Sequence, residues 1–147
     1  MDSDTDALSD QEIIAKTVYG ESRGESYEGQ RAVACVILNR ASKPGWWGRT
    51  PREVCLCPWQ FSCWNSLDPN RPIILAVSPK DPIYAQCLTI AAEALAGDLP
   101  DVTHGADSYR RMGTPASWAN GLTPVATIGH HEFFVTVLCK VGEFPSA

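Results

Sequence analysis

The chain has 147 residues, a formal net charge of −5 and a hydrophobic fraction of 44%, values typical of one globular domain and not of a disordered segment. A negative chain lacks the positive stripe that nucleic-acid binding needs, and no run is long and apolar enough to span a bilayer. We therefore expect a domain that neither binds nucleic acid nor inserts into a membrane.

The first ten residues, MDSDTDALSD, are acidic. They lack the basic start and the apolar run of a secretion signal. Residues 1–7 are predicted to form a flexible, solvated tail, and residues 8–147 a single domain. The missing signal leads us to expect a protein made in a host cytoplasm, whose export depends on something else.

A first helix is predicted to start at a capping box, in which Ser9 is followed three positions later by Glu12. One face of this helix carries residues spaced i, i+3, i+4 and i+7, namely Ile14, Thr17, Val18 and Glu21. Gly24 is expected to end the helix.

Two further helices are predicted. The second, over about 27–41, is apolar almost all round, which is typical of a central, buried helix. The third is capped by Asp81, has Pro82 in its first turn and ends at Gly97. Residues 50–80 contain five prolines and are predicted to be mostly irregular.

The periodicity changes after Gly97. Short strands are predicted over 108–112, 125–128 and 131–139, with a turn near Gly129. The predicted class is α+β: a mainly helical body with a small C-terminal antiparallel sheet.

The six cysteines fall into two groups. Three lie in apolar runs and are expected to be small buried hydrophobes, namely Cys35, Cys87 and Cys139. The others form a C-x-C-x5-C pattern, a spacing that does not favour a zinc site. A Cys57–Cys63 or a Cys55–Cys63 bridge remains open for an oxidising compartment.

Glu21 is the strongest catalytic candidate, because it extends the apolar face of the first helix. A partly buried carboxylic acid can keep its proton and act as a general acid on a glycosidic oxygen. Gly20 is expected to leave room for a bulky substrate beside it. Glu25 and Glu28 are interpreted as surface acids, and the latter suits the first turn of the second helix.

Two other chemistries are weaker. The HHE sequence at 130–132 suggests a metal site, but adjacent strand residues point to opposite faces, so at most one of His130 and His131 is expected to face a given site. His104 joins no HExxH helix, and no metal or other cofactor is expected. Cys63 with His104 or His130 lacks the third group of a nucleophilic site.

Aromatic residues in predicted loops and strand ends are either core or sugar-stacking surfaces. They are Trp46, Trp47, Trp59, Trp64, Tyr109 and Trp118.

At this point three stretches resemble the family of spore-cortex-lytic enzymes and cell-wall hydrolases, whose members include many bacteriophage lysins. They are VYGESRGESYEGQRAVACVILNR, QFSCW and HGADSYRR…WANGLTPVATIGHHEFF. The resemblance covers roughly residues 8–139. It implies a lysozyme-like fold related to lytic transglycosylases, with no cofactor and with peptidoglycan glycan strands as the partner.

The resemblance also implies site residues. The glutamate of the first GE motif, Glu21, would be the catalytic acid, and the cleft would be lined by Gln60, Phe61, Ser62 and Tyr109. Trp64 and His130 are added here as candidate glycan contacts. Arg110 and Arg111 depart from the aromatic residues that often follow this tyrosine in the family, so their part in substrate binding stays open.

The implied reaction is cleavage of the β-1,4 bond between N-acetylmuramic acid and N-acetylglucosamine. A hydrolase needs a second carboxylate, for which Asp68 and Asp107 are the only candidates, so a single-acid lytic transglycosylase is favoured. A muramidase, a non-catalytic peptidoglycan-binding module and a metal-dependent amidase stay as alternatives. We expect a monomeric bacteriophage endolysin that reaches the cell wall after the inner membrane is permeabilised.

Overall fold

The computed structural model describes residues 3–43 and 46–137. Within them, six α-helices precede three short strands. The helices are α1 (Ser3–Asp6), α2 (Asp10–Ser22), α3 (Tyr27–Ala41), α4 (Pro51–Leu56), α5 (Asn70–Ala76) and α6 (Pro82–Ala96). The strands are β1 (Ser108–Arg111), β2 (Ala126–Ile128) and β3 (His131–Phe134), and 3₁₀ turns cover Ser62–Trp64 and Ser117–Ala119. The predicted α+β class is confirmed.

The three predicted helices are α2, α3 and α6. The start of α2 and both ends of α6 form as the sequence indicates, whereas α2 ends at Ser22 with Arg23 as its cap, before the expected Gly24. Ser9 and Glu12 make the reciprocal capping box of α2. The Asp81 carboxylate accepts the first free N–H groups of α6, and Gly97 ends that helix with φ of 77°. A positive φ costs glycine little because it has no Cβ.

Helix α3 is apolar all round because it serves two cores. One face packs with α2 and α6, where Val33 and Ile37 are fully buried. The other face packs under the sheet, where Ala32 and Val36 contact Phe133. Its central position, predicted from the sequence, is confirmed.

The prediction that residues 50–80 are mostly irregular missed two short helices, α4 and α5. Thr50 caps α4 by accepting a hydrogen bond from the Glu53 N–H, and Pro51 occupies the first helical position, where a missing N–H costs nothing. Helix α5 follows, with its first N–H held by Asp68. Proline at a helix start was the overlooked signal.

The sheet has the strand order β1-β3-β2, with both pairings antiparallel. Tyr109 lies opposite Phe133, and Thr127 lies opposite Glu132. The turn between β2 and β3 contains Gly129, as predicted, but β3 ends at Phe134 and is shorter than expected. Cys139 lies outside the described residues.

Side chains at the end of α3 form hydrogen bonds with the backbone that leads into β1. Asn39 donates a 2.8 Å bond to the Ala106 carbonyl, and Arg40 Nε donates a 2.6 Å bond to the Asp107 carbonyl. The fully buried Asp107 carboxylate pairs with Lys43 Nζ at 2.6 Å and also accepts the Thr136 and Val137 N–H groups. These bonds fix the sheet relative to the helical body.

The sequence predicts a flexible, solvated tail over residues 1–7, but part of this segment is ordered against the domain. Residues Ser3–Asp6 form one helical turn, and Thr5 is buried. Arg52 donates to the backbone carbonyls of Thr5 and Leu8, which ties this turn to α4. The boundary of a single domain at residue 8 stays a prediction.

None of the helices formed by the described residues is long and apolar enough to cross a membrane. The described cysteines are free thiols in this structure, and Cys35, Cys55, Cys63 and Cys87 are buried. The bridges left open for an oxidising compartment therefore stay a prediction.

Candidate active site

Glu21 lies in the last turn of α2 and is partly buried. Ile14, Thr17 and Val18, on the same helical face, are fully buried. This face packs into the core, so the carboxyl at its end comes out where the core meets the surface. The predicted position of Glu21 at the end of a buried stripe is confirmed, and its catalytic role stays a proposal.

The hydroxyl of Tyr109 in β1 donates a 2.8 Å hydrogen bond to Glu21 Oε1. Burial, followed by the negative charge of Glu21, raises the pKa of Tyr109 well above its usual value. The phenol therefore keeps its proton and can serve only as a donor to the carboxylate. This contact orients one oxygen of Glu21 and leaves the carboxyl free of a direct ion pair among the described residues.

Cys63 is packed against the same corner. Burial is the first cause that raises the pKa of its thiol, and the charge of Glu21 is the second. A thiol held in its neutral form is a poor nucleophile. The buried environment of Cys63 therefore does not favour the nucleophilic role considered for it in the sequence analysis.

Gly20 is not a place for substrate, contrary to the sequence expectation. A Cβ built on Gly20 would lie 2.8 Å from the Cys63 Cβ and 3.1 Å from the Ile74 Cγ2. Its missing side chain lets the turn containing Cys63 pack directly on α2, which is how the residue after Gly20 comes to face the site.

Arg40 lies close behind this pair, and it was missed in the sequence. Its side chain is 8% exposed and its guanidinium carbon lies 5.0 Å from the ring centroids of both Trp47 and Phe61. Burial lowers the pKa of Arg40, and the charges of Asp107 and Glu21 oppose that shift. The available signal was a basic residue in the last turn of the helix, soon after the apolar run 32–38.

A cavity of about 380 Å³ is lined by Tyr109, whose hydroxyl bonds to Glu21, although Glu21 is not itself one of the lining residues. It is lined mainly by aromatic and polar side chains, including Arg40, Trp47, Trp59, Gln60, Tyr109 and Trp118. Such a mixture suits a sugar, which offers apolar faces for rings and hydroxyl groups for polar side chains.

A second cavity of about 450 Å³ is lined by Trp59, Trp64, Leu67 and Asp68, among others. Trp59 borders both cavities, its side chain is 81% exposed, and its backbone has a φ of 68°. A left-handed backbone is unfavourable for tryptophan. The chain thus holds a large ring outward between two hollows, an arrangement that suits a linear polymer of rings.

Some of the predicted glycan contacts line a cavity in the structure, and others do not. Gln60 is exposed and lines the first cavity with Tyr109, and Trp64 lines the second cavity although only 8% of it is exposed. Phe61 is 2% exposed, so it cannot stack on a sugar and instead supports Arg40. Ser62 is exposed at the start of a 3₁₀ turn but does not line either cavity.

The expectation for Glu25 is wrong. Its side chain is only 6% exposed, its Oε1 accepts the His130 N–H at 3.0 Å, and its Oε2 lies 2.9 Å from the Nδ1 of His130. Burial opposes ionisation, but the bonds from His130 and the nearby imidazoles outweigh it, and the pKa of Glu25 is lowered. Glu28 is exposed in the first turn of α3, as expected.

Both histidines face this one carboxylate, contrary to the alternation expected for strand neighbours. The Nδ1 of His131 lies 3.7 Å from Glu25 Oε1, because His130 belongs to the turn and only His131 to β3. His131 also packs edge-on against Tyr109, with centroids 5.1 Å apart. His130 thus pairs with Glu25, and its role in glycan binding stays a prediction.

The two candidate second carboxylates differ. Asp107 is fully buried and its oxygens are engaged by Lys43, Thr136 and Val137, so it has no access to a substrate. Asp68 lines the second cavity, and one of its oxygens accepts the Asn70 N–H. Asp107 is therefore excluded as the partner of Glu21.

Within the described residues, no group of three or more His, Cys, Asp or Glu side chains is arranged to hold a metal ion. Arg110 pairs with Glu132 across β1 and β3 at 3.1 Å, whereas Arg111 is exposed.

In a comparison with protein families, a family model described as Cell Wall Hydrolase matches residues 24–134. Curated relatives are spore cortex-lytic enzymes. The Bacillus subtilis protein is 62% identical over 32 residues, and the Oceanobacillus iheyensis protein is 68% identical over 31 residues. These segments are 22% and 21% of this chain, and they span only about a tenth of the relatives, 10% and 11%.

Two solved structures are similar over most of the chain. The catalytic domain of the germination-specific lytic transglycosylase SleB from Bacillus anthracis matches with a TM-score of 0.67 and 29% identity, covering 87% of this chain and 97% of that domain. The catalytic domain of the Bacillus cereus SleB protein matches with a TM-score of 0.66 and 28% identity, covering 91% and 98%. The fold is thus that of a lytic transglycosylase-like catalytic domain.

Proposed function

The chain is an enzyme that belongs to the cell wall hydrolase family, and from this membership we propose that it cleaves the β-1,4 bond between N-acetylmuramic acid and N-acetylglucosamine in peptidoglycan, with Glu21 as its acid. The observation that carries the proposal is the half-buried Glu21 carboxyl, held by Tyr109 beside an aromatic cavity of about 380 Å³. An oriented acid next to a sugar-sized hollow is what glycoside cleavage requires.

We infer a lytic transglycosylase mechanism with a single acid. Glu21 gives its proton to the glycosidic oxygen as the bond from C1 of muramic acid to that oxygen breaks. The carboxylate then accepts the proton of the C6 hydroxyl of the same sugar, whose oxygen bonds to C1. The product is a 1,6-anhydro sugar, no water is consumed, and the acid is regenerated.

Two observations support this mechanism. Asp107, one of the two carboxylates considered for a second role, is fully buried and ion-paired. The similar Bacillus anthracis domain is described as a lytic transglycosylase. The Tyr109 hydroxyl orients Glu21 for both proton transfers, because it donates to one oxygen throughout.

A hydrolytic muramidase is the second candidate, since the Asp68 carboxylate lines the neighbouring cavity. The two mechanisms give products that differ by the mass of one water. Mass spectrometry of murein digested by the purified enzyme therefore separates them: anhydro ends are expected, and reducing ends would replace transglycosylation by hydrolysis.

Glu21→Gln tests the acid itself. We expect loss of released glycan fragments with no change in the melting temperature, because the amide keeps the shape of the side chain. Activity unchanged in Glu21→Gln would overturn the proposal and favour a peptidoglycan-binding module or another chemistry. Loss of activity on adding EDTA, with peptides released, would favour the metal-dependent amidase.

The biological setting is also a proposal: a monomeric bacteriophage endolysin that reaches murein once the inner membrane is opened. Expression in bacterial cells with and without a membrane-permeabilising agent tests it. Lysis is expected only after permeabilisation, and lysis without it would contradict this setting. Light scattering after size-exclusion chromatography measures the oligomeric state.

A further inference from the structure

Arg40 is a nearly buried cation whose hydrogen-bonding capacity is mostly unused. A guanidinium group has five N–H donors. Among the bonds formed by residues 3–43 and 46–137, only its Nε has an acceptor, the Asp107 carbonyl oxygen at 2.6 Å. Its Nη1 is buried and has no hydrogen-bond partner among these residues. Buried donors and charges normally find a partner, because leaving them unpaired is costly.

The nearby carboxylates do not fill this role. Asp107 pairs with Lys43 at 2.6 Å, and Glu21 accepts the Tyr109 hydroxyl. In the described part of the chain, no carboxylate oxygen lies within ion-pair distance of Arg40. The guanidinium is thus charged, largely shielded from water and without a carboxylate partner among the described residues.

Its orientation is fixed in advance. The ring centroids of Trp47 and Phe61 each lie 5.0 Å from the guanidinium carbon, and the Nε bond to the Asp107 carbonyl restrains rotation of the group. A fixed planar fork binds a carboxylate with little further loss of entropy. Arg40 lines the cavity of about 380 Å³ together with Tyr109, whose hydroxyl touches the proposed acid.

The cavity favours an anion. Its other polar lining side chains, Gln60, Ser108 and Thr136, are neutral, and no carboxylate is among the lining residues described. In a glycan strand of peptidoglycan, hydroxyl and N-acetyl groups occur on both sugars. The lactyl substituent at O3 of muramic acid occurs on one sugar alone, and its carboxyl group is a free anion wherever the stem peptide, which is otherwise amide-bonded to it, has been removed.

We propose that Arg40 is a specificity-determining residue that binds the free lactyl carboxylate of a muramic acid without a stem peptide, seated in this cavity. The inference rests on the proposed glycosidase function and deepens it. It assigns muramic acid to the sugar position beside Tyr109 and Glu21, which is the sugar whose C1 and C6 react. The enzyme would then prefer murein strands freed of their stem peptides over both peptide-bearing murein and chitin-type glycans, through one buried fork.

Calorimetric binding to the inactive Glu21→Gln variant tests this. The ligands are a murein tetrasaccharide with free lactyl carboxylates, the same tetrasaccharide with those groups converted to methylamides, and chitotetraose. We expect the carboxylate form to bind about 10-fold or more tightly than either neutral ligand, the range expected for a hydrogen bond to a charged group.

Arg40→Gln in the Glu21→Gln background should remove this preference and leave affinity for chitotetraose within about twofold. Arg40→Lys, which keeps the charge and loses the fork, should retain only part of the preference. Arg111→Gln is the matched control, because it removes an exposed cation from β1 and should keep the full preference.

Equal binding of the charged and neutral ligands by the parent variant, or a preference that survives Arg40→Gln, would overturn the proposal. If Arg40→Gln does not fold, as judged by circular dichroism, the comparison of ligands and the Arg40→Lys variant still decide it. The proposed function is judged separately, by the activity of the enzyme with and without Glu21. If Glu21→Gln abolishes activity but no preference for the carboxylate ligand is found, the proposed glycosidase function stands and only the role of Arg40 is rejected.

Discussion

The hydroxyl of Tyr109 donates to Oε1 of Glu21 over 2.8 Å, joining two residues that are 88 positions apart in the chain. The acid comes from the last turn of a helix and the donor from the first strand of the sheet. Neither element alone builds the site, so its geometry depends on how firmly the sheet is attached to α3.

Tyr109→Phe removes this donor and keeps the ring. We expect kcat to fall about 10- to 100-fold, since a hydrogen bond to a charged group contributes about 1.5–3 kcal/mol. KM should change little, because the phenylalanine ring still lines the cavity. Steady-state kinetics on soluble murein fragments measure both. A rise in KM with an unchanged kcat would show that Tyr109 binds substrate and does not orient Glu21.

Gly20→Ala should destabilise the fold even though alanine is the better helix former. Its Cβ would lie 2.8 Å from the Cys63 Cβ, and overpacking of this kind costs about 1–3 kcal/mol. Gly24→Ala is the matched control, because no atom of the described residues, apart from its own chain neighbours, lies within 4 Å of the added methyl. Urea unfolding compares them, and equal stability of the two variants would contradict the close packing.

Trp59→Ala should weaken glycan binding about 10-fold, as expected for an exposed ring that stacks on sugars with a contribution of about 1.5 kcal/mol. Trp59→Gly should bind as weakly but be about 1 kcal/mol more stable than Trp59→Ala, because glycine accepts the φ of 68° without strain. Leu95→Ala, at an exposed apolar position on α6, is the control for affinity. Full affinity in Trp59→Ala would remove the ring from the site.

The ionised Asp107 carboxylate should make the free energy of unfolding depend on pH in the acidic range. Burial alone would raise its pKa, but the bonds from Lys43, Thr136 and the backbone outweigh burial and lower it below 3.8. Because the folded pKa is depressed, the stabilisation is fully present above the unfolded pKa and is lost as pH falls through the folded value. Asp107→Asn should cost about 3–5 kcal/mol at pH 7 by leaving Lys43 unpaired.

The difference in unfolding free energy between wild type and Asp107→Asn should therefore shrink below about pH 4. Urea unfolding at several pH values measures it, with Asp98→Asn as an exposed control on the loop after α6. A difference that stays constant down to pH 2 would show that the ion pair is not the source.

Glu25→Gln should loosen the corner between α2 and α3. The amide loses the charge that faces His130 and His131. Because the Glu25 side chain is buried, water does not replace the lost contacts with the two imidazoles. We expect a lower melting temperature, and a smaller fall in kcat than Tyr109→Phe gives, because His131 packs against Tyr109 without touching Glu21. Glu28→Gln, at an exposed position on the next helix turn, should change neither.

Much of the fold follows from local signals in the sequence. The box of Ser9 and Glu12, the Asp81 cap and the terminal Gly97 each act within a few residues, so the start of α2 and both ends of α6 could be found by reading along the chain. The stripe that ends at Glu21 likewise follows from helical periodicity. The proline-started α4 was readable in principle but was outweighed by the number of prolines around it.

The surroundings of the acid could not be obtained in this way. The sequence by itself determined which carboxyl stands at the end of a buried stripe, because periodicity and capping are local. Only the tertiary structure decided that Glu25 is buried against two histidines, that Phe61 supports a cation and that Arg40 opens onto a cavity. Those contacts join segments far apart in the chain, and burial and charge pairing are fixed only when the segments pack.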